Sequence, residues 1–97
     1  MGYKYQLFFK GVIMEQNYNV VFDQIAEIVD EKLSVNRDEI APTSSFIDDL
    51  RADSLDLVDL VMGIEEAFDL QIPDEDIQKM TTVNDAVIYV LEQQKKG

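Results

Sequence analysis

The chain of 97 residues has no cysteine and no histidine, and its 8 lysines and arginines stand against 20 acids. Without cysteine there is neither a disulfide framework nor a thiolate metal site, which fits a reducing compartment and makes the cytoplasm the default location. Without histidine, no serine has the neighbouring imidazole that serine nucleophiles ordinarily use, and no thiol can take its place. The shortage of bases leaves a formal net charge of -12. Such a polyanion repels nucleic acid and anionic lipid, so neither DNA binding nor stable membrane insertion is expected, and basic protein surfaces are favoured as partners. Long apolar runs are missing too: none approaches the length of a bilayer crossing, and the amino end lacks the basic, apolar and small-residue order of a secretion signal. A chain this short folds as one small domain with no room for a deep catalytic cleft.

What is present is helical periodicity. Val21, Phe22, Ile25, Ile28, Val29 and Leu33 recur three and four residues apart, with Asp23, Glu27, Asp30 and Glu31 between them, and predict a first helix over residues 19–33. A long loop follows, marked by Asn36, Pro42 and Thr43-Ser44-Ser45, with Ile40 and Phe46 as apolar anchors for the core. A second helix is predicted from Leu55 to Asp69. A last helix runs from Val83 to Gln93, its stripe formed by Val83, Ala86, Val87, Val90 and Leu91. Pro73, in first-turn position before Asp74, Glu75 and Asp76, predicts a short third helix ending near Met80. Strand alternation, internal repeats and low-complexity tracts are absent. The predicted fold class is all-α, a four-helix bundle with a short third helix and a long loop after helix one.

The second helix has two apolar faces. At 100° per residue, Leu57, Leu60, Val61, Ile64 and Phe68 fall within roughly 100° of one another and form the core stripe. Leu55, Val58 and Met62 make a separate strip, flanked by Asp59, Glu65, Glu66 and Asp69. A solvated charged face would account for some of these acids. Yet from Asp48 to Asp76 the chain holds eleven acids and one base, Arg51, and that density costs self-repulsion. It is better understood as a docking surface made of Asp53, Leu55, Asp56, Val58, Asp59, Met62, Glu65 and Glu66.

The helix opens on Asp53-Ser54-Leu55-Asp56, with Asp53 placed as N-cap and Asp56 three residues on. Capping alone explains both residues, but the free amides of a helix start also seat a phosphate. Since no base activates Ser54 and the chain has no thiol, a chemical role for this serine is that of an attachment point for a group brought from outside. The stretch Phe46-Ile47-Asp48-Asp49-Leu50-Arg51-Ala52-Asp53-Ser54-Leu55-Asp56, then Glu65-Glu66-Ala67-Phe68, Ile72-Pro73-Asp74, Thr81-Thr82-Val83 and Tyr89, closely resembles the acyl carrier proteins of dissociated (type II) fatty-acid synthesis. The likeness runs from Val20 to the carboxyl end.

That resemblance implies a monomeric four-helix bundle without catalytic residues or a metal. Ser54 would bear 4'-phosphopantetheine, transferred from coenzyme A by a separate phosphopantetheinyl transferase, and the terminal thiol of that arm would carry growing acyl chains as thioesters. Ketosynthase, acyltransferases and other fatty-acid synthesis enzymes are the implied partners, with D-alanyl, aminoacyl or polyketide carriers as the alternative within the same fold. The implied resting place of the acyl chain is a core lined by Phe46, Leu60, Val61, Ile64, Ile72, Ile77, Met80, Ala86 and Val90. The family usually has glycine where this chain has Arg51. Arginine tolerates left-handed backbone angles poorly, so the expectation is a slightly different turn or a position that never needed a positive φ.

Two further readings come from the residues themselves. An EF-hand is excluded, because Gly63 lies in mid-helix without oxygen ligands at the required offsets. Residues 1–13 hold four of the nine aromatics and no acid, unlike the rest of the chain. Lys10-Gly11-Val12-Ile13 back-translates to a purine-rich ribosome-binding sequence at a plausible distance before the Met14 codon. Residues 1–17 are therefore read as an amino-terminal extension, with Met14 as the natural initiator and 18–97 as the carrier domain. The alternative is a genuine extension whose Phe8, Phe9 and Ile13 dock on the bundle.

Overall fold

The structure, a computed structural model, describes residues 17–96. The mis-start reading and almost all of the proposed extension lie outside these residues. Helix α1 spans Tyr18–Leu33; Asn17 starts it by accepting a hydrogen bond from the Val20 amide (3.0 Å), and Ser34 ends it in the left-handed conformation, φ 56°. Val21, Ile25, Ala26 and Val29 lie on one face of α1 and are fully buried. That stripe makes α1 the central helix, packed against both α2 (Ser54–Phe68) and α4 (Val83–Lys96). Helices α1 and α2 run antiparallel, since Lys32 pairs with Asp59 (3.7 Å) while Ile28 faces Gly63 further along α2. Gly63 permits this approach: a Cβ there would stand 3.0 Å from Ile28 Cγ2 and 3.3 Å from Lys32 Cε.

The long loop is structured by its own polar groups. A single 3₁₀ turn at Arg37–Glu39 is capped by Asn36, and Arg37 reaches back to pair with Asp23 and to lie 5.3 Å above the Phe22 ring. Ile40 and Phe46 plug the core, as their positions suggested. Phe46 N donates to Thr81 O and Val83 N to Ser44 O, both at 3.0 Å, which clamps the loop to the start of α4 through one antiparallel bridge between Ser45 and Thr82. No strand forms among the described residues. Helix α4 has a capping box of its own: Asp85 N donates to Thr82 Oγ1 (3.2 Å) and Asp85 Oδ2 accepts from Thr82 N (3.1 Å).

The chain then reverses before α2. Ser45 O accepts from the Asp49 and Leu50 amides, the Asp49 carboxylate accepts from Ser45 N (2.7 Å), and Ala52 N returns to Phe46 O (2.8 Å). Leu50 and Ala52 are buried, whereas Arg51 between them is exposed with φ 62°. This corrects the expectation for Arg51. The turn does need a positive φ, and arginine adopts it, because two buried neighbours and the Ala52–Phe46 hydrogen bond over-determine the backbone there.

Other differences are at helix ends and core margins. Helix α2 begins at Ser54 and ends at Phe68, where Asp69 turns left-handed (φ 53°) and Leu70 N bonds Glu65 O. Helix α3 is a single turn, Asp74–Ile77, with Pro73 outside it as the extended cap residue. Beyond Ile77 the chain tightens into i to i+3 bonds, from Lys79 N to Asp76 O and from Met80 N to Ile77 O, and Asp85 takes the Thr81 amide for the cap of α4. Helix α4 continues past Gln93 to Lys96. Leu57, Phe68, Ile77 and Met80 are half-buried at the edge of the core rather than inside it.

The strain at Arg51 is measurable by substitution. A left-handed non-glycine residue costs about 1–2 kcal/mol, and glycine gives part of this back as unfolded-state entropy. Arg51→Gly is expected to stabilise the domain by about 0.5–1 kcal/mol in urea unfolding, and Arg51→Val, β-branched and worse at positive φ, to destabilise it by more than about 1 kcal/mol.

Candidate functional site

The reversal delivers the chain into α2 with Asp53 as N-cap. Asp53 Oδ1 accepts from Asp56 N (2.9 Å) and Asp56 Oδ2 accepts from Asp53 N (3.2 Å), a reciprocal capping box that uses both carboxylates. Ser54 follows at the first helical position and is exposed. Among the described residues its hydroxyl has no hydrogen-bond partner, and the Ser54 and Leu55 amides, the first two of α2, have none either. The site therefore presents a free hydroxyl beside two free amide donors, at the positive end of the helix dipole.

The outer face of α2 is apolar at its centre. Leu55, Val58 and Met62 are 79%, 56% and 58% exposed, unusual values for side chains of this size. Ile47, in the turn before Ser54, is equally exposed; its sequence signal was an apolar residue set directly before Asp48-Asp49. The acids around this strip are less free than the sequence suggested. Asp53 and Asp56 hold each other's backbone, Asp59 pairs with Lys32, and the half-buried Glu65 accepts a hydrogen bond from Ile72 N (2.8 Å). Glu66 is exposed and makes no ion pair among the described residues. Met62, Glu65, Glu66, Asp69, Leu70 and Gln71 line an open groove of about 430 Å³ at the carboxyl end of α2.

The family model for phosphopantetheine attachment sites matches residues 23–90. The acyl carrier protein of Clostridium perfringens strain 13 is 53% identical over 76 residues, covering 78% of this chain and all of that protein. Those of Rubrobacter xylanophilus and Wolinella succinogenes are each 51% identical, over 74 and 70 residues, covering 76% and 72% of this chain and 91% and 92% of the relatives. The chain belongs to the acyl carrier protein family. Its cofactor is the covalently attached 4'-phosphopantetheine of that family.

The residues present fit this group. Attachment needs a serine or similar hydroxyl that is accessible and not engaged by the fold, and Ser54 meets both conditions; the neighbouring amides suit an anionic phosphodiester. Behind the site the acyl carrier fold is closely packed: Phe46, Leu60, Val61, Ile64, Ile72, Ala86 and Val90 are buried, and half-buried Ile77 and Met80 border the α3 side. Leu50 and Ala52 complete the core beneath the reversal. Sequence periodicity missed them because they belong to no regular element.

One contact ties α3 to α4 at that border. Tyr89 Oη donates to Asp76 Oδ2 (2.7 Å), beside a groove of about 200 Å³ that Met80 and Ile88 also line. Burial, the hydrogen bond to Asp76 and the charges of Asp76 and Glu65 push the Tyr89 hydroxyl up from 10.0 to about 12. Its neutral form is thus favoured by folding. That contribution is complete below pH 10 and is lost as pH rises toward 12. Tyr89→Phe should melt lower than wild type at neutral pH and lose less stability between pH 10 and 12, as thermal unfolding across that range would show.

Proposed function

We propose that Ser54 is the attachment serine and that this acyl carrier protein delivers growing fatty acyl chains, as thioesters on its 4'-phosphopantetheine arm, to the enzymes of fatty-acid synthesis. The exposed, unpartnered Ser54 hydroxyl at the start of α2 is the observation that carries the reading. The arm supplies the thiol that the chain lacks. Loading forms a bond from Ser54 Oγ to phosphorus and breaks the diphosphate of coenzyme A; the nucleotide half leaves, and the serine proton passes to a base of the transferase. The base is assigned to the transferase because this chain has no histidine and the two carboxylates beside Ser54, Asp53 and Asp56, are engaged with backbone amides of the capping box. The protein is accordingly a non-catalytic carrier.

Fatty acyl cargo is favoured by the bundle interior. Its lining is apolar and, apart from Phe46, aliphatic or thioether, and Met80, half-buried at the α3 edge, adapts to an alkyl tail better than to a polar aminoacyl group. No helix among the described residues is long and apolar enough to cross a membrane. A monomer in the cytoplasm is part of this reading, and the absence of cysteine fits such a reducing compartment.

Partner enzymes, including the transferase, ketosynthase and acyltransferases, dock on the outer face of α2. Leu55, Val58 and Met62 supply the retained affinity, while Asp53, Asp56, Asp59, Glu65 and Glu66 steer basic surfaces toward Ser54. A carrier visits many enzymes, so each contact is small and brief.

Ser54→Ala should keep the far-ultraviolet spectrum of the parent and gain no mass on incubation with coenzyme A and a phosphopantetheinyl transferase. A variant that still gained the arm would move the attachment elsewhere. For docking, binding kinetics of the modified protein against a ketosynthase should show slower association and a flatter salt dependence in Glu66→Lys, the acid of this face that makes no ion pair among the described residues. Val58→Ala or Met62→Ala should chiefly speed dissociation. Unchanged association of the charge-reversed variant at low salt would leave Glu66 on a solvated face.

A further inference from the structure

Arg51 is the one base between Asp48 and Asp76. It is exposed and, like Lys95 near the end of α4, forms no ion pair among the described residues, whereas Lys32, Arg37 and Lys79 do. It also sits at φ 62°, where glycine would serve the fold at lower cost. Neither packing nor an ion pair within the described fold explains an arginine here. Backbone strain without structural return points to function.

The surroundings say what function. Attachment of a phosphodiester at Ser54 adds a full negative charge to a stretch that already holds Asp48, Asp49, Asp53 and Asp56. The capping box directs the Asp53 and Asp56 carboxylates at backbone amides but leaves their charge in place. Only Ala52 and the extended Asp53 separate Arg51 from Ser54, about 10 Å of chain at most, a gap that a long cationic side chain and a phosphate can close between them. A guanidinium matches two phosphate oxygens at once and stays charged at any working pH.

We propose that Arg51 is a positioning residue for the prosthetic group: its guanidinium pairs with the phosphodiester on Ser54, offsets the added charge, and holds the root of the arm over the 45–52 turn. This rests on Ser54 being the attachment site. The free Ser54 and Leu55 amides complete the donor set from the helix side. An alternative role, in which Arg51 meets a carboxylate of the transferase, gives different results in the test.

The test compares apo and modified forms of the wild type, Arg51→Gln and Arg51→Lys, with loading driven to completion and verified by intact mass and by the Ser54 peptide. All three side chains keep a Cβ and an unbranched stem, so the backbone strain is held constant. At low salt, modification should lower the Tm of Arg51→Gln by about 1–5 °C more than that of the wild type, the scale of one exposed ion pair in a domain of this size, with Arg51→Lys between them. The gap should close near 1 M salt, where the screening length is about 3 Å. In ¹⁵N-labelled wild type, the Arg51 Nε–Hε resonance should shift between the apo and modified forms. Equal Tm changes in wild type and Arg51→Gln, with an unmoved Nε–Hε signal, would overturn the proposal. If Arg51→Gln then also slowed loading, Arg51 would be assigned to the transferase contact. Wild type loaded at another residue would overturn the Ser54 reading first and this inference with it.

Discussion

The burial of Leu50 and Ala52 on either side of an exposed Arg51 is the constraint on which the site depends. Leu50 and Ala52 enter the core from a segment that folds back on itself, and the Ala52–Phe46 hydrogen bond closes that fold. The left-handed Arg51 is its consequence. Burying a side chain the size of leucine contributes about 1.5–3 kcal/mol, which exceeds the strain at Arg51 of about 1–2 kcal/mol, so the turn holds despite an unfavourable residue at its apex. The chain leaves it in extended geometry at Asp53 and enters α2 with Ser54 facing solvent. The buried loop thus fixes where the exposed hydroxyl stands.

The same division of labour runs through α2. Its inner face, Leu60, Val61 and Ile64, is locked against α1 at a distance that Gly63 permits. Its outer face keeps Leu55, Val58 and Met62 in water, where burying them on another protein is favourable. The acids beside them serve twice. Asp53 and Asp56 build the helix start, Glu65 anchors the segment before α3 through Ile72, and Asp59 braces α1, while all of them still contribute to a negative field. Reversing the charge of Asp53, Asp56, Asp59 or Glu65 therefore disturbs a contact of the fold itself, whereas Glu66 makes no ion pair among the described residues.

Much of this was legible in the sequence because the helices are amphipathic with clear periods. The core stripe of α1, the two faces of α2, the N-cap role of Asp53 and the exposure of the Leu55-Val58-Met62 strip follow from spacing alone. The resemblance to acyl carrier proteins was likewise carried by residues that can be read off directly, from Phe46 to Asp56 and onward. What could not be read lies where structure is set by non-local contacts. Leu50 and Ala52 have no periodic partner, and their burial depends on the loop being clamped to Thr81 and Val83, over thirty residues away. Arg51 was misjudged for the same reason: its backbone angle is imposed by its neighbours' burial against its own preference. Helix α3 is shorter than its acidic first turn suggested because Asp85 takes the Thr81 and Thr82 amides for the start of α4.

The most direct measurement is the mass of the Ser54 peptide from protein isolated from its native host under conditions that preserve thioesters. The expected result is 4'-phosphopantetheine on Ser54, in part extended by saturated, hydroxy or oxo acyl chains that grow in two-carbon steps. A Ser54 peptide that is always bare, or one whose arm carries amino acids, would contradict the assignment of this protein as a fatty acyl carrier.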